Sequence, residues 1–158
     1  MKLNVYQDSG FRLLDRVGEG GLRKYPAAAV AIVKGQALVD DTNGYATNTA
    51  SDLTLIFMGI AAEDCDNSGG ASGAKNVLVV PPLQAHQFSV PVDGNAVISR
   101  TAVGLLVDIG ADASHIAIND LVTGNWGFFI DDFDASAEAV AAHTYGYAIG
   151  HFQMQSTT

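Results

Sequence analysis

From residue 27 onward, the sequence is a series of short apolar or β-branched segments separated by turn-forming residues. Spacings of roughly 8–12 residues between such segments are typical of β-sandwiches and β-barrels. Only SAEAVAAH (136–143) has a helical composition, and it is short. The sequence therefore predicts an all-β fold, a single β-barrel or β-sandwich domain with at most one or two short helices. The predicted strands are 28–33, 36–39, 53–61, 76–80, 86–92, 102–110, 115–118, 127–130 and 145–152.

The composition is apolar for a chain of 158 residues, with 48% hydrophobic and 16% charged residues. A helix needs about 18 consecutive apolar residues to cross a membrane, and no apolar run in this sequence approaches that length, so a membrane partner is not expected. We instead expect the apolar surface to be buried in a core and between subunits, because obligate interfaces resemble a core cut in half. LTLIFMGIA (53–61) is expected to be buried on both faces or across such an interface.

The charges are distributed unevenly along the chain. Residues 1–34 hold six basic and three acidic residues, a net charge of +3, whereas residues 35–158 hold two basic and fourteen acidic residues, a net charge of −12. The acidic part argues against a nucleic-acid partner. Residues 1–26 lack apolar periodicity and are interrupted by glycines, which predicts an extended N-terminal arm on a body of residues 27–158. The predicted contacts of this arm with an acidic protein surface are Arg12, Arg16, Arg23 and Lys24.

Two features indicate where the protein is made. The opening decapeptide MKLNVYQDSG lacks the apolar region of a secretory signal, so no signal peptide is expected. The single cysteine, Cys65, excludes an internal disulfide and fits a reducing compartment. Because Cys65 stands between Asp64 and Asp66, we expect it to be a poor nucleophile.

The segment DCDNSGG (64–70) is similar to the start of a calcium-binding loop, with oxygen-bearing side chains at alternate positions and glycine at the sixth. Such a loop requires a bidentate acid at its twelfth position, where this chain has Lys75. We therefore predict a solvated hairpin loop and no metal ion. A weak cation site formed by Asp64 and Asp66 stays open as the alternative.

The sequence shows no set of residues for catalysis. The paired acids Asp40-Asp41 and Asp131-Asp132 are candidates for acid–base work, but adjacent side chains on a strand point to opposite faces. We therefore interpret these pairs as turn residues at strand ends. No nucleophile motif frames a serine, and the histidines lack zinc-binding spacing. The chain is predicted not to be an enzyme and to need no cofactor. The four histidines are His86, His115, His143 and His151.

Aromatic residues are concentrated in the segment that follows Gly124-Asn125. On a strand, Trp126 and Phe128 share one face and Phe129 takes the other. A carbohydrate-stacking platform is one interpretation. We favour a strand buried on two sides or a subunit contact formed by these three residues.

The chain resembles the head decoration proteins of tailed bacteriophages, also called capsid cement or auxiliary capsid proteins. The resemblance covers about residues 27–154 and consists of strand-and-turn patterns without a catalytic signature. The segments similar to the first half of the family are KGQALVDDTNGYA (34–46), MGIAAEDCDNSGGASGAKNVLVV (58–80) and HQFSVPVDGNA (86–96). Those similar to its second half are VGLLVDIGADASHIAIND (103–120), TGNWGFFIDDFDASA (123–137) and YGYAIGHFQM (145–154).

The resemblance implies a structural protein of the virion, made in the host cytoplasm. Such proteins assemble, often as homotrimers, on the outer surface of an expanded icosahedral head and clamp neighbouring major capsid subunits. Their terminal arms commonly reach across subunit boundaries. The expected partners are therefore the major capsid protein and further copies of this chain. The alternative function is a receptor- or glycan-binding virion surface protein that uses an aromatic platform around Trp126.

Overall fold

The computed structural model describes residues 10–14, 21–48, 56–83, 86–94, 96–110, 113–121 and 126–155, with the backbone alone for 119–121. Within them the chain is mainly β-structure with one short α-helix, which confirms the all-β prediction. None of their helices is long and apolar enough to cross a membrane. The strands are β1 (Arg12–Leu13), β2 (Arg23–Pro26), β3 (Ala31–Ile32), β4 (Ala37–Asp40), β5 (Ala46–Thr47), β6 (Phe57–Ala61), β7 (Cys65–Asp66), β8 (Asn76–Val80), β9 (Phe88–Asp93), β10 (Leu106–Ile109), β11 (Ile116–Leu121), β12 (Trp126–Asp134) and β13 (Tyr147–Met154).

Five strands form a closed barrel in the order β9, β11, β10, β12, β13, because β13 pairs with both β12 and β9. The β9–β11 pair is parallel and the others are antiparallel. β12 and β13 pair from Trp126↔Met154 to Asp134↔Tyr147, with a register shift between Ile130 and Asp132. Closure leaves this ring without the open edges of a flat sheet.

A second sheet has the order β2-β8-β6-β4-β5, and β3 pairs with β7 in a separate ribbon. The central strand β6 is buried along its whole length. Its Phe57 and Ile60 belong to the core shared with the barrel, while Met58 and Ala61 belong to a second core that contains residues of the ribbon. The prediction that this segment is buried on both faces is therefore confirmed for β6. Residues 53–55 lie outside the described residues.

Aromatic rings fill the core between the barrel and the second sheet. The ring of Phe11 lies 5.0 Å from that of Phe152 and 5.4 Å from that of Phe128, between centroids. The ring of Phe57 in the second sheet lies 4.7 Å from that of Phe152. Tilted and edge-on pairs of this kind add to the free energy gained by burial. The two sheets therefore share one aromatic core.

The described parts of the predicted N-terminal arm are strands of the body, so the boundary between residues 26 and 27 is wrong there. β1 pairs with β9, and β2 pairs with β8. Phe11 is 3% exposed, and its N–H donates to Gly35 O at 2.7 Å. The sequence does not predict this packing because the segment buries a single large ring, that of Phe11, and one buried residue produces no periodic pattern. Residues 1–9 and 15–20 lie outside the described residues.

The α-helix found among the described residues, α1 (Ala137–Ala142), lies in the connection from β12 to β13. Ser136 caps it, because its hydroxyl accepts a hydrogen bond from the N–H of Ala139 at 3.3 Å. The predicted helical segment 136–143 is therefore confirmed, with capping residues at its two ends. A 3-10 turn, Arg100–Ala102, precedes β10.

Candidate functional site

Asp93, His115 and His143 converge at one end of the barrel. They come from three elements: the last residue of β9, the residue before β11 and the C-cap of α1. One potential ligand atom from each side chain lies within 4.8 Å of the other two. We call these three residues the His–Asp cluster.

Strand register explains why these distant residues meet. β11 runs parallel to β9 with Ile116 opposite Val92, which places His115 beside the end of β9. The turn after α1 returns to the same point, because Gly146 O accepts the N–H of Val92 at 3.1 Å and its own N–H bonds to His143 O. The cluster is thus held by backbone hydrogen bonds of the barrel.

The side chains of the cluster differ in accessibility. The imidazoles of His115 and His143 are 12% and 15% exposed, and the carboxylate of Asp93 is 55% exposed. His115 Nδ1 lies 3.9 Å from Asp93 Oδ2, and His143 Nε2 lies 4.0 Å from Asp93 Oδ1. The two imidazole centroids are 5.2 Å apart. Two imidazoles and a carboxylate in this arrangement can hold a metal ion or share a proton.

Sequence reasoning missed this cluster. The three residues belong to no spacing motif, and only the long-range pairing of β9 with β11 and the turn after α1 bring them together. Asp93 did carry a signal, since it stands in the Asp93-Gly94 turn that ends a predicted strand. Such a signal predicts a turn and not a ligand.

A histidine–aspartate pair, separate from the His–Asp cluster, lies on the β12–β13 ladder. His151 Nδ1 is 2.7 Å from Asp131 Oδ2, and the His151 ring packs against Phe129 with centroids 5.2 Å apart. Asp131 therefore orients an imidazole, while Asp132 Oδ1 accepts the N–H of Phe133. The two acids act separately, as expected for neighbours on a strand. They lie within β12 and not in a turn, so the interpretation as turn residues at a strand end is wrong for this pair, because the β12–β13 pairing continues past them to Asp134.

The other paired acids form a turn, as predicted. Asp40 Oδ1 accepts the N–H groups of Thr42 and Gly44, both at 2.8 Å. Asp41 Oδ1 accepts the N–H groups of Asn43 and Tyr45. These hydrogen bonds fold the connection between β4 and β5 into a turn.

The segment from Asp64 to Gly70 contains β7 and leads toward β8, but β7 pairs with β3 and belongs to a different sheet from β8, so the predicted hairpin is wrong. Residues 68–70 are exposed, as predicted for a solvated loop. Asp64 Oδ1 accepts the N–H of Lys34 at 2.7 Å, whereas Asp66 Oδ1 accepts the N–H and hydroxyl of Ser68. The Lys75 ammonium donates to Asp66 O at 2.6 Å. The ammonium of Lys75 thus ties the end of this loop to the backbone of β7.

The predicted arm cations have different positions. Arg23 and Lys24 are exposed on β2, an edge strand, and Arg12 is half-buried on β1. Arg12 lines a groove of about 450 Å³ together with Lys34 and the exposed Leu22. Arg16 lies outside the described residues.

The predicted aromatic contact set is divided by the fold. Phe128 is 0% exposed in the barrel core, so it is not available to a partner and that assignment is wrong for this residue. Alternation along β12 directs both Trp126 and Phe128 toward the core, and Trp126 is half-buried because it lies at the end of the strand. Phe129, on the other face, is half-buried against His151.

Trp126 borders a cleft of about 400 Å³ that is also lined by Pro82, Phe152, Gln153 and Met154. The indole packs against Phe57, with ring centroids 5.6 Å apart.

Comparison with known proteins adds no relationship: no family model matches this chain, and neither does any curated protein.

Proposed function

We propose that this protein is a structural virion protein that binds the outer surface of an icosahedral phage head and stabilises neighbouring major capsid subunits. The observation that carries the proposal is the apolar surface around Trp126. Met154, opposite Trp126 on β13, is 62% exposed, and Leu83, which follows Pro82 of the cleft, is 53% exposed. An apolar surface of this kind is typical of a protein–protein contact.

Two further features support the proposal. Among the segments similar to decoration proteins, residues 40–44 form a turn and β12 pairs with β13. In addition, Arg23 and Lys24 are exposed on an edge strand of a chain with a net charge of −9. These cations suit an acidic partner, either the major capsid protein or a neighbouring copy in a homotrimer.

Substitution of Met154 tests the proposed contact. A carboxylate at this exposed position disfavours burial in an interface without removing a core side chain, so Met154→Glu should reduce binding to heads at least about tenfold. The measurement is co-sedimentation of the full chain with purified expanded heads of the phage that encodes it, together with the native mass of the oligomer. Val97→Glu, at a residue 44% exposed outside the cleft, is the control.

Both variants should keep the thermal stability of the unmodified protein. Failure of the unmodified protein to bind expanded heads would contradict the proposed function. Unchanged binding by Met154→Glu would instead show that the Trp126 surface is not part of the contact with the head. Arg23→Glu, compared with Arg100→Glu, tests the charged contact in the same assay, since both arginines are exposed.

The cleft beside Trp126 also supports the second candidate, a glycan-binding virion surface protein. Trp126 and Gln153 line one cleft, and sugars are commonly recognised by an aromatic ring beside hydrogen-bonding groups. Only one ring of the predicted platform is available there, because Phe128 is buried. Glycan-array binding that disappears in Trp126→Ala, with head binding unchanged, would favour this candidate.

A further inference from the structure

We propose that the His–Asp cluster is a binding site for a divalent transition-metal ion such as Zn²⁺. The proposal is independent of the capsid function. It rests on the convergence of Asp93, His115 and His143 from three elements onto one point. Imidazole nitrogen suits zinc and its neighbours in the first transition row, and carboxylate oxygen completes many such sites.

The separations fit an ion of this size. Zinc bonds nitrogen and oxygen at about 2.0–2.2 Å, so two of its ligand atoms lie about 3.3 Å apart in a tetrahedral site and up to about 4 Å apart in wider geometries. The Asp93–His115 and Asp93–His143 separations are 3.9 and 4.0 Å. All three ligand atoms lie within 4.8 Å of one another, so a bound ion would draw the three side chains closer together.

The carboxylate does not orient either imidazole through a direct hydrogen bond at these atoms. Both separations exceed the about 3.2 Å limit of a good hydrogen bond. The two imidazole rings lie beside the same carboxylate, with centroids 5.2 Å apart. A single divalent ion would take one ligand atom from each of the three side chains at once.

Accessibility indicates how the ion would enter and what it would do. The two imidazoles are mostly buried and fixed by the barrel, whereas Asp93 is 55% exposed and opens the site to solvent. Three protein ligands leave a fourth position for water. Because the ligands come from β9, the segment before β11 and the end of α1, a bound ion would hold this end of the barrel together.

The test uses the full-length chain without an affinity tag, freed of metal with a chelator. Zn²⁺ added to this protein should bind with a stoichiometry of one by calorimetry. It should raise Tm by about 5 °C or more at saturation, since only the folded state presents the site. Co²⁺ should give the visible absorption bands of a site with nitrogen and oxygen ligands.

Substitutions assign the ligands. His115→Ala and His143→Ala should each weaken Zn²⁺ binding at least about a hundredfold, and Asp93→Asn at least about tenfold. Because Asp93 is exposed, Asp93→Asn should keep the fold even if a histidine variant does not. His86→Ala and His151→Ala are the controls and should bind as the unmodified protein does.

Three results would overturn the proposal. One is the absence of stoichiometric Zn²⁺ binding at millimolar concentration. The second is binding that persists unchanged in Asp93→Asn and in a folded histidine variant. The third is a thiolate-to-cobalt absorption band, which would place the metal at Cys65.

Discussion

At the scale of single residues, Gly150 controls how closely β12 and β13 approach. It pairs with Ile130, and a Cβ at this position would overlap the carbonyl oxygen of Phe129. That oxygen belongs to the backbone and has no rotamer by which to move away. A methyl group would therefore force the two longest strands of the barrel apart.

Gly150→Ala should accordingly lower the free energy of unfolding by more than about 3 kcal/mol. Gly69→Ala is the matched control, because no atom of the described residues, its chain neighbours aside, lies within 4 Å of a Cβ there. That variant should stay within about 0.5 kcal/mol of the unmodified protein. Urea denaturation of the three proteins measures the difference, and equal midpoints would show that the β12–β13 pair tolerates the added carbon.

Asp66 illustrates how a turn residue acquires a pH response. The hydroxyl and N–H of Ser68 donate to its carboxylate, with a smaller contribution from Lys75, and they hold the Asp66 pKa below its ordinary value of 3.8. A depressed folded-state pKa stabilises the fold above pH 3.8, and the contribution is lost as the pH falls through the lower folded value.

Ser68→Ala removes the larger of these hydrogen bonds, so the Asp66 pKa should rise toward 3.8. An NMR titration of the Asp66 carboxyl carbon in the two proteins measures it. Ser99→Ala, which removes a hydroxyl from another exposed turn, should leave that pKa unchanged. An identical titration curve in Ser68→Ala would mean that the hydroxyl does not stabilise the carboxylate.

At the scale of elements, the sequence predicts those strands and helices whose signals are local. The predicted segment 76–80 coincides with β8, because an apolar run ends there at Pro81-Pro82. The helix is located to within a residue at each end by Ser136 and its alanine-rich continuation. β-branched composition, capping and proline act within a few residues, so they can be identified without the fold.

Elements that depend on distant partners are not predicted in this way. The predicted strand 127–130 stops at the acids, whereas β12 continues to Asp134. The register shift at Asp131 allows this continuation, because it places that carboxylate on His151 while pairing resumes at Asp132. The His–Asp cluster was missed for the same reason, since its geometry follows from the parallel register of β9 and β11.

At the scale of the whole molecule, the N-terminal strands connect the barrel to the second sheet. Phe11 packs on the barrel rings of Phe128 and Phe152, while its N–H bonds to Gly35 beside the second sheet. Gly10 and Gly35 allow this crossing, because both have positive φ and a Cβ on either would press on the backbone of the other segment. β2 then continues the second sheet as its edge strand.

Removal of residues 1–26 should therefore unfold the protein instead of releasing a folded body. The truncated chain loses β1, β2 and the Phe11 ring, and it exposes the edge of β8 and part of the aromatic core to water.

In the chain that keeps residues 1–26, Phe11→Ala alone should lower the free energy of unfolding by about 3–5 kcal/mol, the usual range for a buried phenylalanine. Leu22→Ala is the control, because Leu22 is 42% exposed and should contribute little to the free energy of unfolding.

Near-ultraviolet circular dichroism and thermal unfolding test the truncation: the truncated chain should show neither a fixed aromatic signal nor a cooperative transition. A cooperative transition with the signal of the full chain would mean that residues 27–158 fold alone, and residues 1–26 would then be an appendage.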